Sequence, residues 1–462
     1  MPINTASPIG KVRIAVVICC LVLILGILGC SYISDRNASV LDKNALTNNI
    51  ENSDKEDSNY YYLSGYIKEY GIGNINTYKI NQAETYIRNN LYKELPESSE
   101  LAKEIVSLFV EHYYDNINLD SKEAVTDAVL SCFVASIGDR WARYRTAQTY
   151  QDYENDLEGG AEFVGIGVSV NAETLEISLV YRDSGAYEAG IRPRDIIYGV
   201  NDKTVENTSK EELIDMIKGE VGTTVKIIVK RGEEFKEFIV TRKLLTEKTV
   251  NYYIDENNLA HIQITQFLGT TAEEFKAVID FCMASNVRAL VVDVRGNPGG
   301  LLSSVVEIVD YLVPDAEGRR IASYTQNEQN IVFYTGDKHS VDVPVVVLCN
   351  EGSASGAELF TAAMRDYGKE GIMDTLVIGK TTYGKGLVQT SFLLYDKSAL
   401  TFTIGHYNPP CDVNFDGIGV IPDIEVEDDI LGADAPLDVA IQKALELSSA
   451  QSAFTTYLGE AA

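Results

Sequence analysis

Two serines sit on one small-residue turn, Gly352-Ser353-Ala354-Ser355-Gly356. An unbroken apolar run, Val345-Val346-Val347-Leu348-Cys349, leads into it, and a helical pattern from Ala357 to Tyr367 follows. A serine on a tight strand-to-helix turn is exposed, and the N–H groups beside it lie at a helix N-terminus, where developing negative charge is stabilised. Such a turn suits a nucleophile and its oxyanion. Downstream, Tyr383-Gly384-Lys385-Gly386 offers a lysine held between glycines, with Gln389 shortly after it. A lysine can act as base to a serine once its pKa falls. A free lysine titrates at about 10.4, so desolvation must bring it to roughly 7–8, at about 4 kcal/mol of folding free energy. If 387–394 is a strand, the even offset puts Lys385 and Gln389 on one face, where the amide could orient the amine.

Composition narrows the alternatives. Only four histidines are present, His112, His261, His339 and His406. For a Ser-His-Asp arrangement, His406 is the one candidate near the serine and lysine motifs. The seven cysteines, among them Cys132, Cys282, Cys349 and Cys411, form no Cys-x-x-Cys or Cys/His cluster, so buried free thiols are expected and zinc is not. Asp412-Val413-Asn414-Phe415-Asp416-Gly417 with Asp423 has the look of a calcium loop, and a plain turn is the preferred reading; no metal ligand is assigned. A net charge of -29 without a basic patch argues against nucleic acid as a partner.

The elements that must position these residues follow in order. Residues 1–34 read as a targeting segment: Lys11 and Arg13 precede an apolar run from Ile14 to Leu28. An uncleaved signal anchor is one reading; a lipoprotein signal ending at Cys30 is the other. Both imply a cell-membrane tether with the remainder extracytoplasmic. Residues 35–82 are rich in Asn, Ser and Asp and read as a linker. Residues 83–157 carry a helical period, with Leu101, Ile105, Leu108 and Phe109 on one face. This region could be a dimerisation or gating bundle or a plain helical cap, so a homodimer stays open.

From Glu158-Gly159-Gly160 the period changes to that of strands. Residues 158–243 hold short strands, a helix at 209–217 with Ser209 and Glu212 set for a capping box, and a hairpin around Gly232. From 244 to 430 strands and helices alternate. A continuous buried strand, Ala289 to Val294, runs into Arg295-Gly296-Asn297-Pro298-Gly299-Gly300 and a helix from Leu302 to Leu312. The glycine pair lets backbone N–H groups face a ligand. Residues 431–462 carry an amphipathic C-terminal helix.

The 158–243 segment resembles a PDZ domain through Gly165-Ile166-Gly167, Ala189-Gly190-Ile191-Arg192-Pro193 and Asp195. The resemblance implies that the loop Gly165, Ile166, Gly167 and Val168 holds a peptide C-terminus while the peptide adds as an edge strand. It departs at Arg194, where glycine is usual, so strain is expected if that position needs φ > 0. Arg192 is expected to touch the following domain in the active state.

Asp293 to Gly300, Gly352 to Glu358, Thr382 to Gln389 and Gly419 to Asp423 together resemble the carboxyl-terminal processing proteases, over about residues 95–445. The resemblance implies an α+β multidomain chain: a helical N-terminal region, a PDZ-like β domain inserted before an α/β (crotonase/ClpP-like) protease core, and a C-terminal helix. It further implies a serine endopeptidase acting on protein or peptide substrates with exposed C-terminal tails, without a cofactor. Aligning the family's glutamate on Glu358 makes Ser355, not Ser353, the nucleophile; Lys385 is the base, Gln389 its orienter, and Gly356 with Gly299 or Gly300 the oxyanion donors. Two departures stand out. Ser355 and Lys385 are further apart than usual, with 369–375 as the extra loop, and Gly138-Asp139-Arg140-Trp141 replaces Gly-Asp-Pro-Tyr.

Overall fold

The computed structural model describes residues 62–461 except 172–173, 206–207, 315–317, 327–328, 337–338 and 428–433. The targeting segment and most of the expected linker therefore lie outside the described residues. Four helices come first: α1 (Leu63–Glu69), α2 (Thr77–Asn90), α3 (Ser98–His112) and α4 (Lys122–Ser136). The linker reading fails over 63–82, which forms α1 and the start of α2. Its sparse apolar residues, Leu63, Ile67, Ile72, Ile75 and Ile80, are all buried in one cluster with Leu101, Ile105 and Phe109 of α3. Burial against distant helices overrides a locally polar composition.

The chain then adds β1 (Arg143–Arg145) and α5 (Ala147–Glu158) before the PDZ-like segment. That segment runs β2 (Glu162–Gly165), β3 (Val168–Val170), β4 (Ile177–Val180), α6 (Gly185–Ala189), β5 (Ile196–Val200), β6 (Lys203–Thr204), α7 (Lys210–Ile217), β7 (Thr224–Arg231), β8 (Glu234–Thr241) and β9 (Lys243–Thr246). It has its own core, with Ile166, Ile197, Leu213, Ile227 and Val240 at its centre. Ser209 and Glu212 form the reciprocal capping box that starts α7. Arg194 has φ +70, the strained conformation that its place in the turn demands. Arg192 is exposed, with its N–H on Asp195. Arg182 meets the next domain, its guanidinium lying over Tyr252 and Phe281 at 4.5 and 4.9 Å, and Pro193 and Arg194 share a cavity with Tyr253 and His261 of that domain.

The remaining elements are β10 (Val250–Ile254), β11 (Leu259–Ile264), α8 (Thr271–Ala284), β12 (Ala289–Asp293), α9 (Leu302–Leu312), β13 (Arg320–Gln326), β14 (Gln329–Tyr334), β15 (Val345–Cys349), α10 (Gly356–Lys369), β16 (Thr375–Gly379), β17 (Leu387–Leu393), β18 (Ala399–Asn408), β19 (Ile424–Glu425) and α11 (Ala435–Ala461). A six-stranded sheet runs β10-β11-β12-β15-β16-β19, parallel throughout except for β10. Its strands read as solid apolar runs because both faces are covered. Val345, Val347 and Cys349 join the core shared with α8 to α10, while Val346 and Leu348 meet Ala440 and Ala444 of α11. A second sheet runs β1-β18-β13-β14, with β17 also on β18. The helical region thus contributes an edge strand, β1, to the sheet that carries Gln389 and Tyr407.

Candidate active site

The turn between β15 and α10 separates the two serines by conformation. Ser353 is fully buried: its Oγ donates to Val294 O at 2.7 Å and accepts Asn350 N–H at 3.0 Å, which locks the turn. Ser355 adopts φ +54, ψ -115. A non-glycine residue in such a region costs about 1–3 kcal/mol and persists only where neighbours hold it. Glu358, with no exposed surface, is that holder. One carboxylate oxygen accepts Ser355 N–H at 2.8 Å and Lys385 N–H at 2.7 Å; the other accepts Thr382 Oγ1–H and Gly384 N–H, both at 2.6 Å. A single buried carboxylate therefore joins the serine turn to the lysine turn.

The glycine turn after β12 lies against Ser355. A side chain at Gly299 (φ +96) would come within 2.7 Å of Gly356 N and 2.8 Å of Ser355 Cβ, so this approach needs glycine. Asn297, also fully buried, fixes the turn: its amide donates to Ile264 O at 2.8 Å and accepts Gly299 N–H at 2.8 Å. The Gly299 N–H is thereby engaged. The N–H groups of Gly300 and Gly356 make no hydrogen bond among the described residues, and Gly300 N lies near Gly356.

Lys385 is half-buried just before β17. Its Nζ donates to Gln389 Oε1 at 2.9 Å and lies 4.0 Å from the Trp141 ring centroid. Gln389 Nε2 donates to Trp141 O at 3.1 Å. Burial holds the lysine below its ordinary value; Asp139 opposes this, Arg140 and Arg143 reinforce it, and Glu358 opposes it. Ser355 Oγ and Lys385 Nζ do not hydrogen-bond to each other here. Ser355 Oγ instead lies 3.4 Å from Tyr407 Oη. That phenol has one proton, and Lys385 O at 2.8 Å is the better acceptor, so Tyr407 accepts from the serine. Burial pushes the Tyr407 phenol far up.

Ser355, Lys385, Gln389, Gly299, Gly300 and Tyr407 line one cleft of about 620 Å³, partly roofed by Tyr150, Tyr153 and Leu157 of α5. No histidine lines this cleft. His406 is exposed and packs on Tyr92, so the His406 alternative is not assembled. The 412–417 turn braces the lysine: Asn414 donates to Gly386 O and Asp416 accepts Gly386 N–H, while Asp412 pairs with Arg320. Cys132, Cys282 and Cys349 are free and buried; Cys411 is free but exposed. In the PDZ-like domain, Gly165 ends β2, Val168 starts β3, and the N–H groups of Ile166 and Gly167 between them make no hydrogen bond among the described residues.

Sequence reasoning used Glu358 only to set a register, and it missed the roles of Asn297, Trp141 and Tyr407. Glu358 and Asn297 stood inside quoted motifs, so a buried polar residue beside a reactive turn was the available signal. Tyr407 carried none.

The fold sets a small β domain with its own core ahead of an α/β core whose cleft gathers Ser355, Lys385 and Gln389. Residues 258–426 match the model of peptidase family S41 and residues 176–231 match a PDZ domain. It is 31% identical over 325 residues to a protein of Staphylococcus haemolyticus named "Probable CtpA-like serine protease", covering 69% of this chain and 64% of that one. It is 30% identical over 327 residues to a protein of the same name from Staphylococcus epidermidis, covering 69% and 65%. The chain thus spans slightly under two thirds of the length of these curated relatives. A solved candidate S41 protease from Bacteroides fragilis shares the fold, with TM-score 0.51 and 15% identity over 78% of this chain and 96% of that one.

Proposed function

We propose that the chain is a serine endopeptidase that cleaves the C-terminal tails of extracytoplasmic proteins. Ser355 Oγ attacks the scissile carbonyl while its proton passes to neutral Lys385 Nζ. The oxyanion takes hydrogen bonds from the N–H groups of Gly356 and Gly300; Gly299 is the weaker candidate because its N–H already serves Asn297. The lysine ammonium protonates the departing amine, leaving an acyl-enzyme. Water, deprotonated by Lys385, then releases the acid and restores Ser355. Gln389 steadies the amine. The chemistry calls for no metal or organic cofactor. The tail would add to the edge of β3 beside α7, its carboxylate meeting the N–H groups of Ile166 and Gly167.

One observation carries this reading: the serine, the lysine and the unbonded Gly300 N–H line one cleft, with the unbonded Gly356 N–H adjoining Ser355 and close to Gly300. A membrane tether through residues 1–34 belongs to the same reading; among the described residues no helix is long and apolar enough to cross a membrane. The test is cleavage of β-casein by residues 35–462. Loss of cleavage on both Ser355→Ala and Lys385→Ala is expected, and cleavage surviving both would refute the mechanism. A second reading is a catalytically silent PDZ peptide-binding scaffold. It is favoured by the lysine's bond to Gln389 in place of Ser355, and absence of cleavage and of Ser355 labelling by a fluorophosphonate would support it.

A further inference from the structure

We propose that Trp141 is a positioning residue of the site, its ring roofing the Lys385 amine and its carbonyl fixing which way the Gln389 amide faces. The inference rests on the reading of Lys385 as base and adds the helical region to the machinery. Gly138, at φ +67, ends α4. Asp139 is buried and accepts Trp141 N–H at 3.0 Å with one oxygen and Thr403 N–H at 2.8 Å with the other. This pins the 138–141 turn to β18, directly across from Gln389, whose register partner is Thr403. Because Gln389 Nε2 donates to Trp141 O, its Oε1 must face Lys385 Nζ. Every residue type would keep that carbonyl; what tryptophan adds is the ring.

The ring acts in two opposed ways. It excludes water from the amine, which disfavours the ammonium, and its π face attracts the ammonium, which favours it. The charged groups facing Lys385 are Asp139 and Arg140 on the turn, Arg143 on β1 and Glu358 on α10, with Asp416 bonded to the adjoining Gly386. Asp139, Arg143, Glu358 and Asp416 are unchanged by substitution at 141. Arg140, whose guanidinium lies over the Trp141 ring at 4.7 Å, is replaced by glutamine (Arg140→Gln) in every sample, wild-type Trp141 included, so that its place does not vary with residue 141. The two ring effects are therefore separable by side chain. Trp141→Leu keeps an apolar cover and removes the π face. Trp141→Ala removes both and admits water. Trp141→Phe keeps both in smaller form.

The experiment is trace acetylation of the full chain with acetic anhydride across pH, following the Lys385 peptide by mass spectrometry. In the Leu variant, Lys385 should titrate below wild type, its ionisation constant changed about threefold for a cation–π contact of ~0.7 kcal/mol. In the Ala variant it should titrate above wild type, and in the Phe variant close to it. Shifts of the Leu and Ala variants in the same direction, or none in either, would overturn the proposal; a merely structural tryptophan would lower melting temperatures without opposed shifts. Fluorophosphonate labelling of Ser355 in the same samples tests the underlying reading separately. If its pH dependence ignores the ionisation of Lys385 while the opposed shifts hold, the base assignment falls and the role of Trp141 stands.

Discussion

Lys385 is held where its charge is unwelcome, and that has a consequence for stability as well as chemistry. Its folded value is lowered, mainly by burial. Below that value both folded and unfolded chains carry the ammonium, and the folded state bears the full desolvation penalty. As pH rises through the folded value toward the ordinary lysine range, the unfolded chain binds more protons and stability increases. Lys385→Met should therefore raise the melting temperature at pH 7, with the gain shrinking as pH approaches 10; a difference independent of pH would contradict this. The proposed pair, Ser355 and Lys385, stood out in the sequence because small residues must flank a tight turn and glycines must flank a lysine brought close to backbone. Their contacts were not legible. Tyr407 and Trp141 reach the site through pairings between segments far apart in the chain, and nothing local to either residue announces that.

Among elements, the parallel strands could be read directly, since a run such as Val345 to Cys349 is apolar at every position only when both faces are covered. The first two helices could not, because their few isoleucines gain burial only from partners elsewhere. The joint between elements that matters most is Glu358, the first-turn residue of α10 that grips the segment leading into β17. Glu358→Gln offers an amide N–H₂ where two donors now point. It should destabilise the protein by about 3 kcal/mol in urea unfolding, from two lost hydrogen bonds to a charged acceptor. Fluorophosphonate labelling of Ser355 should fall with it, since the strained φ of that residue loses its restraint. A variant as stable and as readily labelled as wild type would show that the joint holds neither turn.

At the scale of the molecule, the PDZ-like domain has its own core yet arises from the middle of the chain. Its incoming strand β2 and outgoing strand β9 pair antiparallel, with Gly165 opposite Lys243. The domain is thus an excursion that leaves and returns at one point. Replacing 166–242 by Asn-Gly should close that neck as a two-residue hairpin. The shortened chain should still fold, melting cooperatively with Ser355 open to a small fluorophosphonate, and should lack the selectivity for tails with a free carboxylate that the proposed function assigns to the domain. An unfolded product would mean that the Arg182 stack on Tyr252 and Phe281 is indispensable to the core. If the neck does close, the same point is a socket. On the proposed reading, recognition becomes an interchangeable cassette, and a chimera carrying another domain whose termini lie side by side would direct the same core to a new set of tails.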